Sequence, residues 1–219
     1  MGNQAFDASQ GISAERERID QLRQSVGFSF LVDRRYREDL EWLTLSCLVD
    51  ILKRSGRAFP RYAAKMPPSE PDFSTFLNPT TPFRPVEITE VLRPGYRRDD
   101  EYKKVMAGGD PLRVLEPHPA PWSSFKRVLS NKFTKSFPSN TWLLIYHNMW
   151  LFDFQPDDCL WHERVLGQLR AWTFDSHETC DITKSRYEQI YVLDSGCTGA
   201  IRLHPHWDVI KPKEDDELD

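Results

Sequence analysis

Two acidic residues stand beside strand-forming sequence at a spacing that could do chemistry. Asp72 opens the segment PDFSTFL, and fifteen residues later Glu87 stands in PVEITEVL. The intervening NPTTPFRP is turn chemistry, so Asp72 to Leu77 and Val86 to Leu92 are predicted to be neighbouring antiparallel strands. Side chains alternate along a strand, which puts Glu87 and Thr89 on one face, Val86 and Ile88 on the other, and allows Asp72 to sit beside Glu87. Cleaving a phosphodiester requires charge stabilisation on the phosphoryl oxygens, a positioned water and help for the leaving oxygen. Mg²⁺ held by one or two carboxylates supplies much of this. Such a site needs acids that converge without a cationic partner. Asp72 and Glu87 are the candidate metal ligands, with the Ile88 carbonyl as a further one.

PDF followed after fifteen residues by VEITE resembles the PD-(D/E)XK nuclease superfamily, which includes many restriction endonucleases. The resemblance covers residues 35 to 146 and implies an α/β fold, a restriction endonuclease-like mixed sheet flanked by helices in the order α-β-β-β-α-β. It implies a nuclease that hydrolyses DNA or RNA phosphodiesters with Mg²⁺ or Mn²⁺ as cofactor, the Asp and Glu binding the metal. The family usually carries lysine two residues after the Glu, whereas this chain has Thr89, a supporting catalytic candidate together with Glu41. Some relatives supply the lysine from the following helix. If the lysine is simply lost, the alternative is a catalytically inactive module that keeps the fold and binds nucleic acid or a protein partner.

Helical periodicity offers a replacement lysine. Over Trp122 to Phe137, Phe125, Val128, Leu129 and Phe133 define an apolar arc, and Lys132 falls inside it while Lys126 and Lys135 only flank it. A lysine in a core-facing stripe costs desolvation unless its stem snorkels or its ammonium meets an anion. A metal-carboxylate site or a substrate phosphate would supply that anion. On an earlier helix, Glu41 falls between Leu48 and Leu52, and Glu38 between Leu45 and Val49, away from a polar arc of Asp39, Ser46, Asp50 and Lys53. A first-helix glutamate often joins the metal site of the family, and Glu41 is preferred to Glu38.

Charge adds a candidate partner. The chain carries a formal −4, but residues 91 to 135 hold ten Lys and Arg against five Asp and Glu. A basic stretch inside an acidic protein suggests an anionic partner, here nucleic acid, although charge runs are more often solvated faces. Arg93, Arg97, Arg98, Lys103, Lys104, Lys126, Arg127 and Lys135 are the candidate phosphate contacts.

These residues need elements to position them. Apolar Tyr36, Leu40, Leu43, Cys47 and Ile51 recur at helical spacing, which predicts a long helix over Arg35 to Arg54 ending near Gly56. FPRYAAKMPPSEP, rich in proline, reads as an extended entry into a strand beginning near Pro71. RRDDEYKKVMAGG reads as a short exposed helix, LEPHPAP as a loop and WSSFKRVLSNKFTKSF as a helix opened by Pro121. The apolar run TWLLIYHN has the mark of a central strand. CLWHERVLGQLRAW reads as another helix, and QIYVLDSGCTGAIRLH as two strands joined by a turn. Residues 1–19 are expected to be flexible, 20–210 to form one domain, and 211–219 to be an acidic, unpacked tail. With 39% hydrophobic residues the chain can fill one sizeable core.

Other signals point to structure rather than chemistry. Cys47, Cys159, Cys180 and Cys197 form no CxxC pair, so neither a zinc knuckle nor a disulfide framework is written here. DSGCTG is expected to be a hairpin turn and not a nucleophile elbow. His204 and His206 have no second ligand pair at zinc-type spacing, and His147 and His162 sit among apolar residues as core or rim groups. The tryptophans are mostly core by spacing, with Trp122 a base-stacking candidate if exposed. No run of about 18 uncharged apolar residues exists to span a bilayer, and MGNQAFDASQG lacks the plan of a signal peptide, so a cytoplasmic protein without a membrane partner is expected. A homodimer is left open.

Overall fold

A computed structural model describes residues 10–27, 30, 33–91, 107–108, 121–147, 185–193, 200–206 and 208–210. In chain order the described elements are β1 (Gln10–Gly11), α1 (Ile12–Val26), a 3-10 turn (Arg34–Tyr36), α2 (Arg37–Arg54), β2 (Tyr62–Lys65), β3 (Phe73–Asn78), β4 (Thr81–Pro82) and β5 (Val86–Val91). Then follow α3 (Pro121–Phe133), β6 (Trp142–His147), β7 (Gln189–Leu193), β8 (Ala200–His204) and β9 (Asp208–Ile210). The strands form one mixed sheet in the order β1-β2-β3-β5-β6-β7-β8-β9, with β4 attached to β3. The protein is therefore α/β.

The apolar run of β6 lies mid-sheet, as its composition predicts. It pairs in parallel with β5, from Val86↔Trp142 to Val91↔His147, and in parallel with β7. The parallel step from β5 to β6 is made by a crossover that includes α3, since parallel neighbours cannot be joined by a tight turn. The remaining neighbours are antiparallel.

Strand alternation divides the core into two faces. Ala63, Phe73, Val86, Ile88, Trp142, Leu144 and Tyr191 pack in one cluster with Ile12 and Ile19 of α1 and Leu45, Leu48 and Leu52 of α2. The opposite row, including Ala64, Glu87, Thr89, Leu143 and Ile145, is equally buried, and Leu129 of α3 is wholly enclosed. Both faces of the central strands are thus covered by helices, as a parallel sheet centre requires.

Several expectations need correction. The first nineteen residues do not all lie loose: from Gln10 onward they form β1 and the first half of α1, with Ile12 and Ile19 buried. Because α1 covers the outer side of α2, residues 40–49 of α2 are buried all round, including Ser46, which had been placed on the polar arc. Ser46 Oγ accepts a hydrogen bond from Arg16 at 3.1 Å, so its burial is matched. The supposed extended entry contains a separate strand, β2, paired with β3 from Tyr62↔Phe76 to Lys65↔Phe73. Strand β3 itself begins at Phe73, two residues after Pro71, and α2 begins at Arg37 behind a 3-10 turn. Trp42, Trp142 and Cys47 are buried, as expected.

The expected helices RRDDEYKKVMAGG and CLWHERVLGQLRAW, the loop LEPHPAP, the DSGCTG turn and the acidic tail lie outside the described residues, apart from a turn at 107–108. Among the described residues no helix is long and apolar enough to cross a membrane.

Candidate active site

Strands β3 and β5 are in register at a single pair, Phe73↔Val86. The antiparallel register would next bring Asp72 opposite Glu87, and there the ladder stops. Trp142 N–H donates to the Pro85 carbonyl at 2.8 Å, so alternation turns the odd-numbered main-chain groups of β5 toward β6 and those of Ile88 toward β3. With no strand partner, the Ile88 N–H donates to Asp72 Oδ2 at 2.7 Å. The Ile88 carbonyl opens into the same gap, where Lys132 Nζ lies 3.4 Å from it. A carboxylate thus replaces a ladder carbonyl, and a main-chain oxygen is left facing the space between the strands.

Glu87 is 2% exposed. Its Oε1 accepts hydrogen bonds from Lys132 Nζ and, at 2.9 Å, from Lys135 Nζ. Lys132 comes from the buried stripe of α3, with only 16% of its side chain exposed. Burial holds its ammonium below the ordinary lysine pKa, opposed by the hydrogen bond and charge of Glu87 and more weakly by the charge of Asp72. The Lys132 carbonyl accepts from Lys135 N–H at 3.1 Å and from the Tyr187 hydroxyl at 3.3 Å. These two bonds hold the end of α3 at the site. Burial, and then the negative charges of Glu87 and Asp72, push the Tyr187 phenol well above its ordinary pKa.

On the other face of the sheet, Lys65 at the end of β2 joins Glu41 to Asp72. Its Nζ hydrogen-bonds Glu41 Oε2, reaches Asp72 Oδ1 at 3.4 Å and lies 4.5 Å from the centroid of the Phe73 ring. Glu41 is 7% exposed and also accepts from Arg37 Nε at 3.2 Å. Glu38 is exposed, so the preference for Glu41 agrees with the structure.

Asp72, Glu87, Ile88, Lys132 and Glu41 are therefore brought into one connected cluster. Thr89 is buried on the same row as Glu87 but makes no hydrogen bond to the cluster among the described residues. Lys135, read as a flanking phosphate contact, lies past the end of α3 and pairs directly with Glu87. Arg127 is exposed on α3, and the side chain of Lys126 lies outside the described residues. Arg93, Arg97, Arg98, Lys103 and Lys104 lie outside them too.

The expectation of acids without cationic partners is not met. Glu41 and Asp72 share Lys65, and Glu87 holds Lys132 and Lys135. Leaving a buried carboxylate bare would cost several kcal/mol, and the lysines remove that cost. Among the described residues no group of three or more His, Cys, Asp or Glu is placed to hold a metal. A divalent ion here would take two carboxylates, the Ile88 carbonyl that opens into the strand gap, and water. Such an all-oxygen set suits Mg²⁺, which keeps several waters and needs only one or two carboxylates.

Lys65 is not marked by local sequence pattern, because Tyr-Ala-Ala-Lys carries little strand signal of its own. With β2 a strand, Ala63 and Lys65 fall on one face, and Ala63 is wholly buried. A lysine on a core-facing row is the same signal that singled out Lys132.

No family model, no curated protein and no solved structure matched the chain in comparisons with known proteins.

Proposed function

We propose that the chain is a divalent-metal-dependent phosphodiesterase acting on nucleic acid, built on a restriction endonuclease-like core. With the two-residue β4 between β3 and β5 set aside, the succession α2, β2, β3, β5, α3, β6 follows the α-β-β-β-α-β order of the PD-(D/E)XK superfamily. The observation that carries the reading is the parting of β3 and β5, which leaves Asp72, Glu87 and the Ile88 carbonyl around one gap with Lys132 delivered to it from α3.

Asp72 and Glu87, with the Ile88 carbonyl, are the groups that would hold Mg²⁺ or Mn²⁺. When bound, such an ion supplies positive charge to the phosphoryl oxygens and lowers the pKa of a water at the site. Lys132 takes the place of the lysine that Thr89 lacks, and its ammonium offsets negative charge building on the phosphoryl group. Water gives up a proton to solvent and adds to phosphorus, the bond to the leaving oxygen breaks, and that oxygen takes up a proton from solvent in exchange. Lys135, more exposed than Lys132, contributes to holding the substrate phosphate.

A second reading has its own support. Every carboxylate of the cluster already has a lysine partner, which is what a fold retained for binding without turnover would need in order to keep its acids buried. Calorimetric titration with Mg²⁺ tests the first reading: binding is expected in the wild type and its loss in Asp72→Asn. Absence of binding in both proteins would remove the metal site, and binding without cleavage would favour the second reading.

A further inference from the structure

A shallow surface depression, without room to enclose even a water molecule, adjoins the acidic cluster and is bordered by Phe133, Lys135, Phe137, Pro138, Arg186 and Tyr187. Its rings are grouped: Phe133 and Phe137 each stand 6.3 Å from Tyr187, centroid to centroid, the second edge-on. Tyr187 is buried and bound to the Lys132 carbonyl, which fixes the depression against the site. Phe137 is only half-buried, in a connection whose other members from 134 to 140 are exposed. Its ring rests edge-on against Tyr187 and keeps part of its surface open to solvent.

Charge complements the rings. Lys135 Nζ lies 5.2 Å from the Phe137 centroid while it hydrogen-bonds Glu87 at 2.9 Å, so one ammonium spans from the catalytic carboxylate to the ring. Arg186, which also borders the depression, is exposed and makes no ion pair among the described residues. Aromatic faces flanked by cations hold nucleotides by stacking the base and meeting the phosphates. A base inside a duplex is already stacked on both sides and cannot enter without being extruded.

We infer that an unstacked nucleobase stacks on the partly exposed ring of Phe137, next to the reacting phosphate, and that the substrate is single-stranded nucleic acid. The inference rests on the phosphodiesterase reading and specifies its substrate. Phe137 supplies the stacking face, Lys135 links the base position to Glu87, and Arg186 meets a neighbouring phosphate.

Fluorescence anisotropy with a labelled oligothymidylate and a duplex of equal length tests it, with chelator present so that nothing is cut. The wild type is expected to bind the single strand more tightly than the duplex. Phe137→Ala is expected to weaken single-strand binding by about tenfold or more, with duplex binding unchanged. Phe137→Leu keeps apolar volume and removes the π face, so the same selective loss is expected in a variant that preserves packing. A wild-type preference for the duplex, or full single-strand affinity in a folded Phe137→Leu, would overturn the inference. If the wild type neither binds nor cuts any nucleic acid, the phosphodiesterase reading falls and takes this inference with it. If it binds and cuts while the Phe137 variants match it, only the stacking assignment falls.

Discussion

Lys132 and Lys135 meet the same oxygen of Glu87, yet 16% of one side chain is exposed and 46% of the other. A buried cation acts in a low-dielectric setting where charge stabilisation is strong, whereas an exposed one is screened. Lys132→Met keeps the apolar stem and leaves Glu87 paired with Lys135, so it should fold normally and lose turnover by roughly two to four orders of magnitude. Lys135→Met should raise KM more than it lowers kcat, and steady-state kinetics of the pair would contradict the assignment if the two variants behaved alike. Lys65 leads to a different test. Lys65→Met leaves Glu41 and Asp72 without their shared cation, so Mg²⁺ should raise the thermal midpoint of the variant more than that of the wild type. An equal rise in both would place metal binding away from Asp72. The position of Lys132 could be read from the sequence because a cation interrupts an apolar helical arc. The ion pairs of Asp72 and Glu41 could not, because they depend on a strand whose pairing spans chain-distant residues.

The elements that periodicity marks strongly are the ones legible beforehand: α2 by its apolar spacing, β3 and β5 by alternation around a turn, and β6 by its unbroken apolar run. Strand β2 was hidden by its content, Tyr-Ala-Ala-Lys between prolines, which has little β-propensity and is held by its neighbour β3. Helix α1 was hidden by its many charges, although Ile12, Ile19, Leu22 and Val26 follow a heptad-like spacing and all meet the core. Because α1 packs into the core, Ile19→Ala should cost about 2–5 kcal/mol by urea denaturation, as other large-to-small core changes do. A negligible cost would return the segment to the status of a loose end. Leu129→Ala on α3 should cost a similar amount, about 2–5 kcal/mol, and should also lower kcat, because the same helix carries Lys132 to Glu87. Loss of stability with unchanged kcat would separate the helix from the chemistry.

At the scale of the whole molecule, an acidic chain with a basic stretch between β5 and β6 is suited to a polyanion only if that stretch meets it. Binding of nucleic acid should therefore weaken steeply with salt through counterion release, and a flat dependence in anisotropy titrations would move the contact elsewhere. The α/β class was legible from alternating strand and helix signals, but the two-faced arrangement of the site was not. Glu41 and Lys65 approach Asp72 from one side of the sheet, and Glu87 with Lys132 and Lys135 from the other. Their meeting depends on the separation of β3 from β5, which no local pattern encodes. The most direct measurement is a cleavage assay over single- and double-stranded DNA and RNA with Mg²⁺ or Mn²⁺, comparing the wild type with Asp72→Asn and Glu87→Gln. The expected result is metal-dependent cleavage by the wild type, abolished in both variants while they remain folded, because each loses a negative ligand and keeps its volume. Cleavage that persists in either folded variant, or a wild type that cuts no substrate with either metal, would contradict it.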